Sequence, residues 1–373
     1  MAGLSENPGP GRVARPLLGL AVVLVLLLAP AAAAGQAPPG FIGISPQSDP
    51  DEKDYELMAQ AGLTSIRLPL FWSHLESADP ALVPTEWDSF DRAVEMAARY
   101  ELRVMPFVWG TPVWLSSELR HEPVTRARER RAWASFLRRA VRRYGSNGRF
   151  WLENEDLPYV PIRRWEIWNE ANIVTFGRAD PERFARLIRI SGRAIHAADS
   201  GAKVIVGGLF GRPLQVPPNV SSGDFLSRLY RARRVKEHFD GIALHPYVAT
   251  AHAMRSQIRN LRRVMRVHND GGTPLYVTEL GWGSDSFESR WERGLAGQAR
   301  ELDRAFSMLA SHRRGWRIGG VWWFSWADAA GACQFCDSAG LLTESREAKP
   351  SWYVFNAWTG GDPEIVPRAT FGR

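Results

Sequence analysis

WEIWNEAN, residues 165–172, is the stretch on which the reading of this chain turns. Trp165, Ile167 and Trp168 have the apolar, aromatic character of a buried strand, yet the run ends in Asn169-Glu170-Ala171-Asn172, where burying a charge is costly unless it is paired. A strand that opens on a carboxylate makes sense where parallel strands end together at the mouth of a barrel, because there the strand ends carry chemistry.

Strand-like segments fall at 41–45, 64–70, 103–109, 163–169, 203–209, 239–245, 274–280 and 319–326. Helical periodicity falls near 52–61, 88–100, 124–144, 181–198, 223–235, 251–268, 291–312 and 350–358. Eight alternating strand–helix units predict an α/β chain with a parallel sheet closed into a single (β/α)8 TIM barrel over 35–373. An open doubly wound sheet is the alternative; it usually carries a Gly-rich phosphate turn after its first strand, and FIGISPQSD (41–49) has none. Long connections at 71–86, 110–123, 145–162, 210–222 and 327–348 are read as following strands and therefore as shaping the mouth.

Residues 1–34 differ from the remainder. Arg12 and Arg15 precede LLGLAVVLVLLLAP (17–30) and an alanine run, the pattern of a signal peptide, with Gly35 near the mature start. An uncleaved anchor over Leu17–Ala34 is the alternative, so contact with a membrane is expected only in that case. Either way the protein is expected to be secreted or held at the surface of a bacterial cell, and monomeric. With 373 residues, 45% of them hydrophobic, the chain can bury one large core, and no short repeat suggests a solenoid. The formal charge is +7, with four lysines against 43 arginines. On the helix 125–145, Trp133, Phe136, Leu137, Ala140, Val141 and Tyr144 form an apolar stripe that leaves the arginines on a solvated face, so nucleic acid is not expected as a partner. Attraction to an acidic polysaccharide stays open. The two cysteines, Cys333 and Cys336, read as a small disulfide in an exported protein, with redox or metal work as the alternative. No HExxH, nucleophile elbow or P-loop occurs, and neither cofactor nor metal is expected.

One other strand ends as the first does. PLYVTELGW (274–282) stops on Glu279 at the seventh strand. Two glutamates across a barrel mouth can flank one bond, a protonated carboxyl delivering a proton to the leaving oxygen while an ionised one attacks carbon. Glycosidic bonds need that division of labour. A separation of about 5 Å retains anomeric configuration and one of about 6.5 to 9.5 Å inverts it.

WEIWNEAN and PLYVTELGW, about a hundred residues apart on alternating strands and helices, resemble clan A of the glycoside hydrolases, with families 5 and 39 the nearest, including the family 39 enzymes that cleave bacterial exopolysaccharides. The resemblance covers about 41–358. It implies Glu170 as acid/base, Glu279 as nucleophile and Asn169 on a sugar hydroxyl. It further implies Arg67 as the cation keeping the nucleophile ionised, His245 and Tyr247 as polar neighbours, and Trp326, or failing that Trp322, under the sugar. Ala171 stands where many relatives have Pro. Trp72, Trp109 and Trp114, on the connections after strands two and three, are candidate sugar platforms or cover for the core. The expectation is a retaining hydrolase of a β-linked poly- or oligosaccharide, with a transglycosylase or a non-catalytic carbohydrate-binding barrel as rivals.

Overall fold

The computed structural model describes residues 37–285, 289–330, 333 and 335–367; the segment read as a signal peptide or anchor lies outside them. Eight strands close into a barrel in sequence order: β1 Ile42–Ile44, β2 Ser65–Phe71, β3 Arg103–Trp109, β4 Arg164–Ile167, β5 Lys203–Phe210, β6 Gly241–His245, β7 Leu275–Leu280 and β8 Ile318–Trp323. All neighbouring pairs are parallel, β8 returning to β1 through Ile42 opposite Val321.

The helices are α1 Glu52–Gln60, α2 Trp72–Leu75, α3 Asp88–Arg99, α4 Ala127–Tyr144, α5 Arg149–Glu153, α6 Pro181–Ala198, α7 Ser222–Leu229, α8 Ala251–Val267, α9 Gly294–His312 and α10 Pro350–Thr359. Local chemistry sets several ends. Asp51 caps α1 reciprocally with Asp54, Asp180 caps α6 ahead of Pro181, and Gly360 closes α10 in the left-handed region at φ 77°. The stripe expected on α4 is buried, Trp133, Phe136 and Leu137 with no exposure, and it packs against α6. Each such side chain contributes on the order of 1.5–3 kcal/mol by leaving water. Inside the barrel a second cluster, Met105, Ile205, Ala243, Tyr276 and Trp322, fills the interior.

Four expectations need correction. β4 stops at Ile167, because Trp168 and Glu170 adopt positive φ of 72° and 42°, a turn that no extended strand accommodates. β8 stops at Trp323, three residues early, so inward–outward alternation does not continue to Trp326. Residues 145–162 follow α4 and precede β4, which puts them at the end of the barrel opposite the mouth. There Ser146 N donates to Asp199 after α6, and the Trp151 Nε1 and Ile162 N donate to Tyr144 O. The helix expected over 223–235 ends at Leu229, followed by a 3₁₀ turn at Val235–His238.

Candidate active site

Arg67, on β2 with its side chain in the barrel interior, is 1% exposed and organises the mouth. Its Nε and Nη2 donate to Glu166 at 2.8 and 3.1 Å, Nη2 also to Asn169 Oδ1 at 2.9 Å, and Nη1 to Glu279 Oε1 at 2.6 Å and Ser45 Oγ at 3.3 Å. The guanidinium lies over the Phe107 ring, 4.1 Å from its centroid. Burial works against its charge, and the two carboxylates outweigh that and keep it protonated.

Glu166 was not singled out from the sequence, although its signal was there. It is a charge in mid-strand, fully buried, which requires a cation facing it from another strand, and Arg67 is that cation. Asn169 and Glu170 follow where β4 turns out of the sheet, the Glu170 N–H donating to Gly208 O at 3.0 Å. A register shift on β5 between Val206 and Leu209 presents Gly208 to this turn, and Gly208 N also donates to Glu166 Oε1 at 2.7 Å. A Cβ at Gly208 would meet His245 Nε2 at 1.9 Å, so only glycine fits.

Glu279, on β7, is held by Arg67 at one oxygen and by the Tyr247 hydroxyl, which donates to Oε2 at 2.7 Å. Glu170 Oε1 lies 2.8 Å from His245 Nδ1, and His245 Nε2 lies 3.0 Å from Thr278 Oγ1. One carboxylate oxygen each of Glu170 and Glu279 and a ring nitrogen of His245 fall within 4.8 Å of one another. Burial pushes both carboxyls above the ordinary glutamate range. On Glu279 it is opposed by Arg67 and by the Tyr247 hydrogen bond. Burial lowers the His245 value and, together with Glu279, raises that of Tyr247, so the imidazole is neutral and the phenol keeps its proton. The three groups are compact enough to hold a metal ion. A cation there would have to displace the Tyr247 hydroxyl and sit beside the Arg67 guanidinium, so the donor set suits proton transfer better.

Above these groups lies a cavity of about 720 Å³. Arg67, Asn169, Glu170, Tyr247 and Glu279 line it together with Phe71, Phe107, Trp109, Phe176, Phe210, Trp291, Phe324 and Phe335. The 45–49 segment after β1 and the disulfide Cys333–Cys336, Cα atoms 5.2 Å apart, complete the wall. Trp109 is brought into this wall, its Nε1 donating to Phe176 O. Trp326 and Trp322 are not. Trp326 is 2% exposed beyond the end of β8, where its Nε1 donates to Asp54 on α1 and its ring meets Trp352 edge-on. Trp322 faces the barrel interior and donates to Ser65 Oγ. Phe324, which the sequence reading passed over, occupies the β8 side of the mouth. Trp72 and Trp114 cover the core, edge to face with each other, with Trp72 stacked on Phe136.

Fold and mouth together define a class: a (β/α)8 barrel whose fourth and seventh strands bring two carboxyls together over its C-terminal opening. No protein-family model matches the chain, and no curated protein matches it. Among solved structures the barrel closely resembles glycoside hydrolases of clan A. A family 39 glycoside hydrolase from the gut symbiont Bacteroides cellulosilyticus WH2 is 20% identical at a TM-score of 0.64, over 88% of this chain and 65% of its own. A monomeric β-xylosidase from Caulobacter crescentus CB15 is 17% identical at 0.60, over 86% and 69%. A family 5 protein from Bifidobacterium longum subsp. longum, in complex with Manβ1-4GlcNAc, is 14% identical at 0.60, over 87% and 79%. At these identities the likeness is one of fold, and the chain spans about two thirds of the length of the first two.

Proposed function

We propose that this protein is a retaining glycoside hydrolase acting on a β-linked, uncharged poly- or oligosaccharide. The observation that carries the reading is the approach of Glu170 and Glu279 within 4.8 Å over an aromatic-walled cavity, the short carboxyl separation that a double displacement uses. Glu279 is the nucleophile: Arg67 and Tyr247 donate to it, and such donors favour the ionised carboxylate. It attacks the anomeric carbon and forms a glycosyl ester as the bond to the leaving oxygen breaks. Glu170, whose proton burial favours, protonates that oxygen; it then takes a proton from the water that attacks the ester, and Glu279 leaves as carboxylate.

The cavity supports the uncharged substrate. Among the described residues Arg67 is its single lining cation, and that guanidinium is already bonded to Glu166, Asn169 and Glu279, so an acidic sugar would meet carboxylates without a free partner. The aromatic walls suit the C–H faces of sugars. β-Linkage follows the structural neighbours, one a β-xylosidase and another bound to Manβ1-4GlcNAc. We place the protein outside the cytoplasm on the strength of residues 1–34; among the described residues no helix is long and apolar enough to cross a membrane.

The test is hydrolysis of β-glucans, mannans, xylans and exopolysaccharides by wild type and Glu279→Gln, following reducing ends and, by NMR, the anomer first released. Release by wild type alone, with retained configuration, is the expected result. Cleavage by Glu279→Gln at the wild-type rate, or inverted product, would sink the assignment.

A further inference from the structure

We propose that Thr278, backed by Glu166, fixes the tautomer of His245 so that Nδ1 is a bare acceptor, and that this acceptor holds the proton on Glu170. The inference rests on the reading of Glu170 as the general acid.

The case is one of counting protons along a chain of buried groups. Glu166 Oε1 is approached by Gly208 N at 2.7 Å, Arg67 Nη2 at 3.1 Å and Thr278 Oγ1 at 3.2 Å. Bonded to Arg67 through both oxygens, Glu166 is ionised and can only accept. Thr278 has one hydroxyl proton, and a carboxylate is a stronger acceptor than a neutral imidazole nitrogen, so that proton points to Glu166. The hydroxyl oxygen then turns its lone pairs to His245 Nε2 at 3.0 Å, and Nε2 must carry the hydrogen. His245 has no solvent exposure, and burial keeps its ring neutral. Nδ1 is therefore unprotonated and faces Glu170 Oε1 at 2.8 Å, a contact that is repulsive for a carboxylate and a hydrogen bond for a carboxylic acid.

The other ionisable groups around this pair are Arg67 from β2, Glu166 from β4, Tyr247 beyond β6 and Glu279 from β7. Arg67 and Glu166 offset each other, and Glu279 is bonded to Arg67 and Tyr247, its Oε2 lying 3.4 Å from His245 Nδ1, longer than the 2.8 Å contact that Nδ1 makes with Glu170. None of them supplies the proton that the Glu170–His245 contact needs. On this reading Thr278 and Glu166 are positioning residues: they touch no substrate and act through His245.

The test uses the full chain as wild type, Thr278→Val and Thr278→Ser, with ¹⁵N-labelled histidine and the His245 signals assigned by their loss in His245→Asn. Wild type and Thr278→Ser are expected to show a pyridine-type Nδ1 and a protonated Nε2. In Thr278→Val the ring is free to turn its hydrogen to Nδ1, which would then donate to ionised Glu170. The alkaline limb of kcat/KM, which reports loss of the acid's proton, should then move to lower pH by about one unit, with kcat falling more than KM changes. A protonated Nδ1 in the wild type would overturn the proposal, as would an unmoved alkaline limb in an active Thr278→Val. Should no saccharide be cut, the hydrolase reading fails, while the nitrogen shifts still decide the tautomer.

Discussion

Arg67 illustrates how one buried residue can serve fold and chemistry together. Its guanidinium neutralises Glu166, which would otherwise be an isolated charge in the barrel, and its remaining donors reach Glu279 and Asn169. Replacing it with Met leaves Glu166 unpaired, and a loss of about 3–5 kcal/mol is expected in urea unfolding. The double variant Arg67→Met, Glu166→Leu should recover much of that loss without recovering activity, because Glu279 still lacks its cation. The same residue sets a pH prediction. Burial raises the Glu279 carboxyl, so the acid limb of kcat/KM, where the nucleophile gains its proton, is expected above the ordinary glutamate value of about 4.3. The sign follows from ionisation: activity needs the deprotonated form, so a raised value moves the limb up. Removing Arg67 removes an interaction that lowers it, and a pH–rate profile of residual activity should show the limb higher still.

At the scale of elements, the mouth depends on irregularities in regular strands. β5 shifts register between Val206 and Leu209, and the glycine in that shift hands its N–H to Glu166 and its carbonyl to Glu170. Gly208→Ala should retain the far-ultraviolet circular dichroism of the barrel and lose most activity, since the new methyl would displace His245 from between Glu170 and Thr278. The opposite outcome is expected at α1. Asp54, 3% exposed, accepts from Trp326 Nε1 and both from Nε and Nη2 of Arg346, pinning the helix to the segment after β8. Asp54→Ala should lower the unfolding midpoint through loss of this buried pair, with kcat nearly unchanged, because no group of the mouth contacts it.

For the molecule as a whole, closure of the barrel brings distant connections onto one face and locks them with polar contacts. Lys349, 3% exposed before α10, donates to Asp328, to Ser284 after β7 and to the Ser338 carbonyl. Gln298 on α9 joins Trp282, Ser338 and Gly340. These bonds hold the segments that carry Trp291, Phe335 and the disulfide against the cavity. Lys349→Met should therefore raise KM with a smaller change in kcat, measurable on whichever saccharide the wild type cuts, because it loosens walls that hold the sugar and leaves the carboxyls in place.

The eight-unit barrel was legible in the sequence because strand and helix periodicities are local and the parallel closure follows from their alternation. Glu170 and Glu279 stood out because a carboxylate at the end of an apolar strand is expensive to place anywhere except at a mouth, whereas Arg67, His245 and Tyr247 were implied only by the resemblance to clan A glycoside hydrolases. Tertiary structure decided what local pattern does not encode. It decided that β8 stops at Trp323, so that Phe324 reaches the cavity and Trp326 turns to Asp54. It decided that Glu166 and Thr278, from strands far apart in the chain, meet at 3.2 Å. Periodicity reports which face of an element is apolar, whereas the partner a buried polar atom finds depends on register and closure, and only the folded barrel sets those.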